Sequence, residues 1–382
     1  MVRFSDRAIS IRPTGVRRMF DLAGDDSIQF GLGEPDFQPP PVAIEAFSRA
    51  MNEGRNKYTT TAGLPPLRQK IAETLHHLDS NLDKSNVCIT MSGTNGLLDI
   101  FLALVNPGDN VLLPEPYFPL YPTDVVICGG EANMYPCTFE NDFVPTISDL
   151  ESRVDENTVA ILYNFPSNPT GGNVTEDQRD ELVTFARDND LWVITDEVYD
   201  RIVYDQEHVS FLGAGYDKVI MINSFSKTFA MTGWRIGYLL SPDDEAMVQL
   251  TKMQYYVTAC SNDAMQYAVL EALEHASDYP AKMRDEFQAR RDLICERLNA
   301  MEGVTCHVPT GAFYVFPKFD IPGVTSEELA MALLEGGVLC SPGTAFGPAG
   351  EGHLRFAYTT GRENISLGMD RVEIVLNKLR GD

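Results

Sequence analysis

Short apolar runs punctuate this chain at Val87–Met91, Asn110–Leu113, Val159–Tyr163, Leu191–Thr195 and Val219–Asn223. Each has the length of a strand. Between them lie stretches with helical periodicity, such as Leu97–Val105 and Thr175–Asn189. The second opens on Thr175 with Gln178 three residues on, the pattern of a capping box. Strands alternating with helices predict an α/β domain with a mostly parallel sheet. From about Asp278 the pattern changes. A long charged amphipathic helix, Ala281–Met301, precedes strand-like runs at Val304–His307, Ala312–Pro317 and Leu354–Tyr358, with helices at Ser326–Glu335 and Asn364–Leu379. That is an α+β pattern. Residues 1–40 read as an irregular arm ending in G-L-G-E-P-D-F-Q-P-P-P. The expected division is an arm at 1–40 that belongs with a smaller domain at 281–382, and a large domain at 41–280.

Composition narrows the function. At 382 residues the chain can bury a large core, and 44% hydrophobic with 22% charged residues is ordinary for a globular protein. Net charge is −25, from 55 acidic against 30 basic residues, which argues against nucleic acid as a partner because a phosphate backbone needs Lys and Arg. No apolar run is long enough to span a bilayer, and MVRFSDRAISIRPTGVRRMF lacks the apolar segment of a secretory signal, which points to the cytoplasm. The cysteines, Cys88, Cys128, Cys137, Cys260, Cys295, Cys306 and Cys340, are odd in number, widely spaced and without C-x-x-C. They read as small buried hydrophobes, with no metal site expected.

The polar clusters follow the expected C-terminal ends of the strands. Ser92-Gly93-Thr94-Asn95 follows the first run, Asn164 and Pro166-Ser167-Asn168-Pro169-Thr170-Gly171 the third, Asp196-Glu197-Val198-Tyr199 the fourth, and Ser224 with Lys227 the fifth. In an open parallel sheet, ligands bind in the crevice outside those ends. Ser92–Asn95 opens a helix whose N–H groups suit a phosphate, although such a start alone is more often a cap. Asp196 is either a turn cap or a buried carboxylate kept ionised by a cation. Lys227 has hydroxyls beside it and an apolar run after it. A lone lysine is usually a surface residue, but an apolar, cation-lined pocket would make this one a nucleophile. Arg235 offers the planar fork that grips a phosphate.

S-x-S-K-T-F-A-M-T-G-W-R-I-G, with N-P-T-G upstream and D-E-V-Y between them, resembles the class I aminotransferases of pyridoxal-phosphate fold type I, in particular archaeal aspartate and aromatic aminotransferases. The likeness runs from G-L-G-E-P-D-F to H-L-R-F-A-Y-T-T, almost the whole chain. It implies a large domain with a mixed, mostly parallel sheet flanked by helices, a smaller α+β domain, and pyridoxal 5'-phosphate as cofactor. By the resemblance, Lys227 joins the cofactor as a Schiff base and shuttles the proton, while Asp196 pairs with the ring nitrogen. Tyr199 and Asn168 bond the ring oxygen, and Phe118 stacks on the ring. Gly93, Thr94, Asn95, Ser224 and Arg235 hold the phosphate, with Ser226 added. Tyr58 reaches the phosphate of a neighbouring subunit in a homodimer. Arg355 clamps the substrate α-carboxylate, and Gly33 lies over the site.

The implied reaction moves the amino group of an L-amino acid, aspartate or aromatic, to 2-oxoglutarate by ping-pong kinetics. A lysine found in some relatives at the position of Thr94 is absent here, and Arg12, Arg17 and Arg18 near the arm are either its substitutes or a solvated basic face. Phe118, Tyr121 and Phe346 permit an aromatic substrate, or are core. A β-lyase of the same fold is the alternative chemistry; a ligand sensor fused to a DNA-binding module is disfavoured because no basic N-terminal domain is present.

Overall fold

The structure, a computed structural model, describes residues 4–11, 15–22, 24 and 26–381. Seven strands form one sheet: β1 Val87–Thr90, β2 Asn110–Glu115, β3 Glu131–Pro136, β4 Thr158–Asn164, β5 Trp192–Asp196, β6 Val219–Ser224 and β7 Gly237–Leu240. Their spatial order is β1-β7-β6-β5-β4-β2-β3. β7 is antiparallel to both its neighbours, and every other pair is parallel. Two antiparallel steps restore direction, so β1 points the same way as β4, β5 and β6, and the C-terminal ends of all four open on one edge.

The sheet is buried on both faces, as its near-continuous apolar strands require. One cluster beneath it joins Leu112, Ile161, Val193 and Val219, with Leu182 and Val183 from helix Glu176–Asp188. The other joins Val111, Leu162, Ile194 and Ile220, with Leu97, Ile100 and Phe101 from helix Gly93–Leu104. The Thr175 capping box is present: Thr175 Oγ1 accepts from the N–H of Gln178, whose side chain accepts from the N–H of Thr175. A second box, Thr325 with Glu328, starts helix Ser326–Glu335.

A separate hydrophobic core gathers Met283, Phe287, Ile294 and Leu298 of the long helix Tyr279–Asn299, Met369, Val372 and Leu376 of helix Arg362–Arg380, and Leu354 and Phe356 between them. The N-terminal segment packs into this core through Met19, Ile28 and Phe30. Ile28–Gln29 pairs in parallel with Val338–Leu339, which sews the arm to the C-terminal part of the chain.

Several expectations need correction. Residues 1–40 are not wholly irregular. Helices occupy Asp6–Ser10, capped by Ser5, and Gly15–Leu22, which buries Met19. The first is a single turn and the second only two turns, too short to stand out in a segment read as irregular. β3 and β7 were absent from the expected strands. β3 is an edge strand with mostly half-buried positions, and β7 is a four-residue strand that starts at the last glycine of the W-R-I-G motif. The C-terminal strands are shorter than their apolar runs: Val304–Thr305, Tyr314–Val315 and Leu354–Ala357. Cys128 and Cys260 are only partly buried; the other five cysteines are buried. Among the described residues no helix is long and apolar enough to cross a membrane.

Arg290 ties the arm to the second core. It is 5% exposed, and its guanidinium donates to both oxygens of Asp36 at 2.7 and 3.0 Å and to Glu286 at 2.9 Å. Phe37 packs edge-on against Phe287 beside it. Asp36→Ala leaves that guanidinium without its two-pronged partner and is expected to destabilise the fold by about 2 kcal/mol. Chemical denaturation measures this; an unchanged midpoint would show that the arm is held by its apolar contacts alone.

Candidate active site

Four strand ends converge on one cavity of about 430 Å³. β1 runs into Ser92, whose Oγ accepts from the N–H of Asn95 and caps helix Gly93–Leu104. The first N–H groups of that helix have no partner within it, and they carry the positive end of its dipole. Ser224 ends β6 beside them, 2.9 Å from Ser226 Oγ. Gly237 of β7 lies under the same corner: a Cβ there would stand 2.8 Å from both the Gly93 nitrogen and the Asn223 carbonyl oxygen. A glycine is needed for this close approach. Arg235 completes the corner, its guanidinium donating to the Thr232 carbonyl at 2.8 Å.

Asp196 ends β5 and is 5% exposed. Its Oδ2 accepts from Tyr121 Oη at 2.7 Å and its Oδ1 from the N–H of Val198 at 3.3 Å. Burial pushes its pKa up to about 6, against the pull of those two hydrogen bonds. Asn164 ends β4 and fixes the neighbouring loop. Its amide donates to the Asp196 carbonyl at 3.0 Å, and its side-chain oxygen accepts from the N–H of Asn168 at 2.9 Å.

Lys227 sits on the one-turn helix Phe225–Thr228 after β6. Its Nζ donates to the Gly33 carbonyl at 2.5 Å and lies 5.3 Å from the centre of the Phe313 ring. Burial pulls its pKa down to about 8, with Glu34 opposing the shift and Arg355 and Arg235 adding to it. Arg355 is 3% exposed, on strand Leu354–Ala357. It donates to Asn168 Oδ1 at 3.0 Å and to the Gly31 carbonyl at 2.6 Å, while its Nε is buried without a partner. The rings of Tyr314 and Phe346 hold the guanidinium between them, at 4.6 and 4.7 Å.

The cavity brings together Gly33, Gly93, Thr94, Phe118, Asn168, Asp196, Tyr199, Ser224, Ser226, Lys227, Arg235 and Arg355. Asn95 is not among its lining residues. Its N–H is taken by Ser92 Oγ, its side-chain oxygen accepts from the N–H of Met91 at 3.1 Å, and its amide donates to Asp99 at 3.2 Å. Helix continuity has turned this residue away from a phosphate. Tyr58 is 89% exposed and lies outside this chain's cavity. Arg17 pairs with Asp21 and Arg18 with Glu327, both at the surface, and Arg12 lies outside the described residues. Phe346 is fully buried against Arg355.

Tyr121 was read in the sequence only as permitting an aromatic substrate or as core, and Tyr314 went unassigned. Tyr121 had a signal, three residues from Phe118 in P-Y-F-P-L-Y, but nothing local shows that its hydroxyl reaches Asp196. Tyr314 had none beyond its apolar run.

A family model described as aminotransferase class I and II matches residues 25–372. The chain belongs to that family. An aspartate aminotransferase of Pyrococcus abyssi is 37% identical over 385 residues, 98% of each chain. An aromatic-amino-acid aminotransferase of Thermococcus litoralis is 36% identical, again over 98% of each. The solved structure of an alanine aminotransferase from Pyrococcus furiosus superposes with a TM-score of 0.93 at 33% identity, covering 98% of this chain and 100% of that one. This aminotransferase is therefore an enzyme of amino-group transfer with fold type I architecture, and its cofactor is pyridoxal 5'-phosphate. The site's chemistry fits that group. Asp196 is a buried carboxylate whose hydrogen-bond partners are neutral, so a protonated ring nitrogen would be a suitable partner for it. The corner of helix start, Ser224, Ser226 and Arg235 has the donors of a phosphate cradle.

A lysine with a lowered pKa is neutral, and reactive, at a lower pH than its surface neighbours. In protein stripped of cofactor, Lys227 is expected to react with an amine-directed reagent half-maximally near pH 8, with the rate rising as pH rises through that value. A rate that climbs only towards the ordinary value of 10.5 would mean the amine is solvated.

Proposed function

We propose that this aminotransferase moves the amino group of an L-amino acid, aspartate or aromatic, to 2-oxoglutarate. The observation that carries this reading is that Lys227, Asp196 and Arg355 line one cavity. When bound, pyridoxal phosphate supplies an aldehyde that exchanges amines and a ring that withdraws electrons from the carbon bearing the amine.

The residues divide the remaining work. Asp196 holds a proton at the ring nitrogen, because a cation beside a dry carboxylate is stabilised. Tyr199 and Asn168 serve the ring oxygen, and Phe118 covers the ring face. Gly93, Thr94, Ser224, Ser226 and Arg235 hold the phosphate. Arg355 takes the α-carboxylate, its unpartnered Nε offering a donor that nothing else in the chain uses. Such a clamp orients any α-amino acid regardless of side chain, which accords with relatives named for aspartate, aromatic amino acids and alanine. With the carboxylate fixed, Lys227 is placed to take the proton from the α-carbon and return it elsewhere, and its lowered pKa lets it act as a base near neutral pH. Donor and acceptor use the same cavity in turn, so the kinetics are ping-pong. The exposure of Tyr58 supports a homodimer in which it reaches the neighbouring subunit's phosphate.

Lys227→Ala is expected to abolish turnover together with the visible absorption of the bound cofactor. Retention of both would remove Lys227 from the reaction. A screen of amino donors against 2-oxoglutarate, following glutamate, separates transfer from β-elimination, which yields ammonia instead. Arg355→Leu is expected to raise KM for every amino acid by about 100-fold, the size of a lost charge-assisted pair. A loss confined to one donor would mean that the clamp is not its role.

A further inference from the structure

One side chain touches three parts of this site without having been given a role. Tyr314, 2% exposed on the strand that pairs with Leu354–Ala357, has its hydroxyl 2.8 Å from the Tyr199 hydroxyl. The face of its ring lies 4.6 Å from the Arg355 guanidinium. Its hydroxyl also fills the space above Gly33, where a Cβ would come within 1.9 Å of it. The Gly33 carbonyl in turn holds the Lys227 amine.

We propose that Tyr314 is a positioning residue with two separable actions: its hydroxyl orients the Tyr199 proton, and its ring fixes the plane of Arg355. The inference rests on the assignment of Tyr199 and Arg355 given above.

The first action follows from proton counting. Burial raises both phenols above their ordinary values, so each keeps its proton at neutral pH. Two hydroxyls at 2.8 Å share one donated proton. Either hydroxyl can donate in this pair; a partner that accepts from Tyr199 selects the arrangement in which Tyr314 donates to the Tyr199 oxygen, leaving the Tyr199 proton for the cofactor's ring oxygen. Without Tyr314 the Tyr199 hydroxyl has no other hydrogen-bond partner among the described side chains to fix its rotation. The second action follows from packing. Arg355 makes two hydrogen bonds that fix its Nη atoms, but the tilt of the guanidinium is set by the two rings on its faces. Tyr314 provides one of them, and a planar fork binds a carboxylate through two parallel bonds only at the right tilt.

The test compares Tyr314→Phe and Tyr314→Leu in the loaded enzyme. Tyr314→Phe keeps the ring and loses the hydroxyl. Its expected effect is a rise of about half a unit or more in the apparent pKa of the cofactor's visible absorption band, because an oxygen that loses an oriented donor holds its proton more tightly. KM for amino acids should stay within about twofold, as the ring contact is intact. Tyr314→Leu loses the ring as well, and KM for both donor and acceptor should rise by about tenfold. A residue that merely supports the fold would lower the melting temperature in both variants and leave the spectral pKa where it was. A band unmoved by Tyr314→Phe overturns the hydroxyl's role, and an unchanged KM in Tyr314→Leu overturns the ring's. If the wild type shows no pH-dependent visible band at all, the underlying reading of the site fails and takes this inference with it.

Discussion

A carboxylate at the end of a buried strand has no cheap way to stay charged. Asp196 sits where the sheet, the Tyr121 helix and the loop after β4 exclude water, and the bonds it has come from a phenol and a backbone amide. An unpaired buried charge costs several kcal/mol, so the site is built around an absent cation. The same dryness acts with opposite sign on Lys227, lowering its proton affinity as it raises that of Asp196. One physical cause therefore prepares a neutral amine and a carboxylate that stays charged only with a cation beside it. Everything else at the site keeps the two apart, in place and facing the same space.

Topology supplies that placement. Four strands that end on one edge contribute one cluster each, and β7 inserts between β1 and β6 so closely that only glycine fits beside the Gly93 nitrogen. The second core contributes Arg355 from the opposite side. That core is completed by the N-terminal segment, so residues near Gly31 and residues near Arg355 meet although they are 324 positions apart.

What was legible in the sequence was whatever is written locally. The buried strands show as apolar runs, the Thr175 helix shows as a cap followed by a period, and the polar clusters stand just past the strand ends. β3 was missed because an edge strand half-exposes its positions and so loses the continuous apolar signal. β7 was missed because it is only four residues long and begins at the end of a motif that already had a reading. The surroundings of Asn95 were not legible either. It belongs to the phosphate-facing stretch by position, yet its polar groups are consumed by the helix it helps to start. The roles of Tyr121 and Tyr314 depend on partners 75 and 115 residues away, and no local pattern encodes those meetings.

The arm has a second consequence. Two backbone carbonyls only two residues apart, those of Gly31 and Gly33, hold Arg355 and Lys227 respectively. These are the two cations proposed above for the α-carboxylate and the cofactor. One short piece of the arm thus supplies a carbonyl acceptor to each of the two cations. A displacement of this short stretch of backbone would therefore release both cations together.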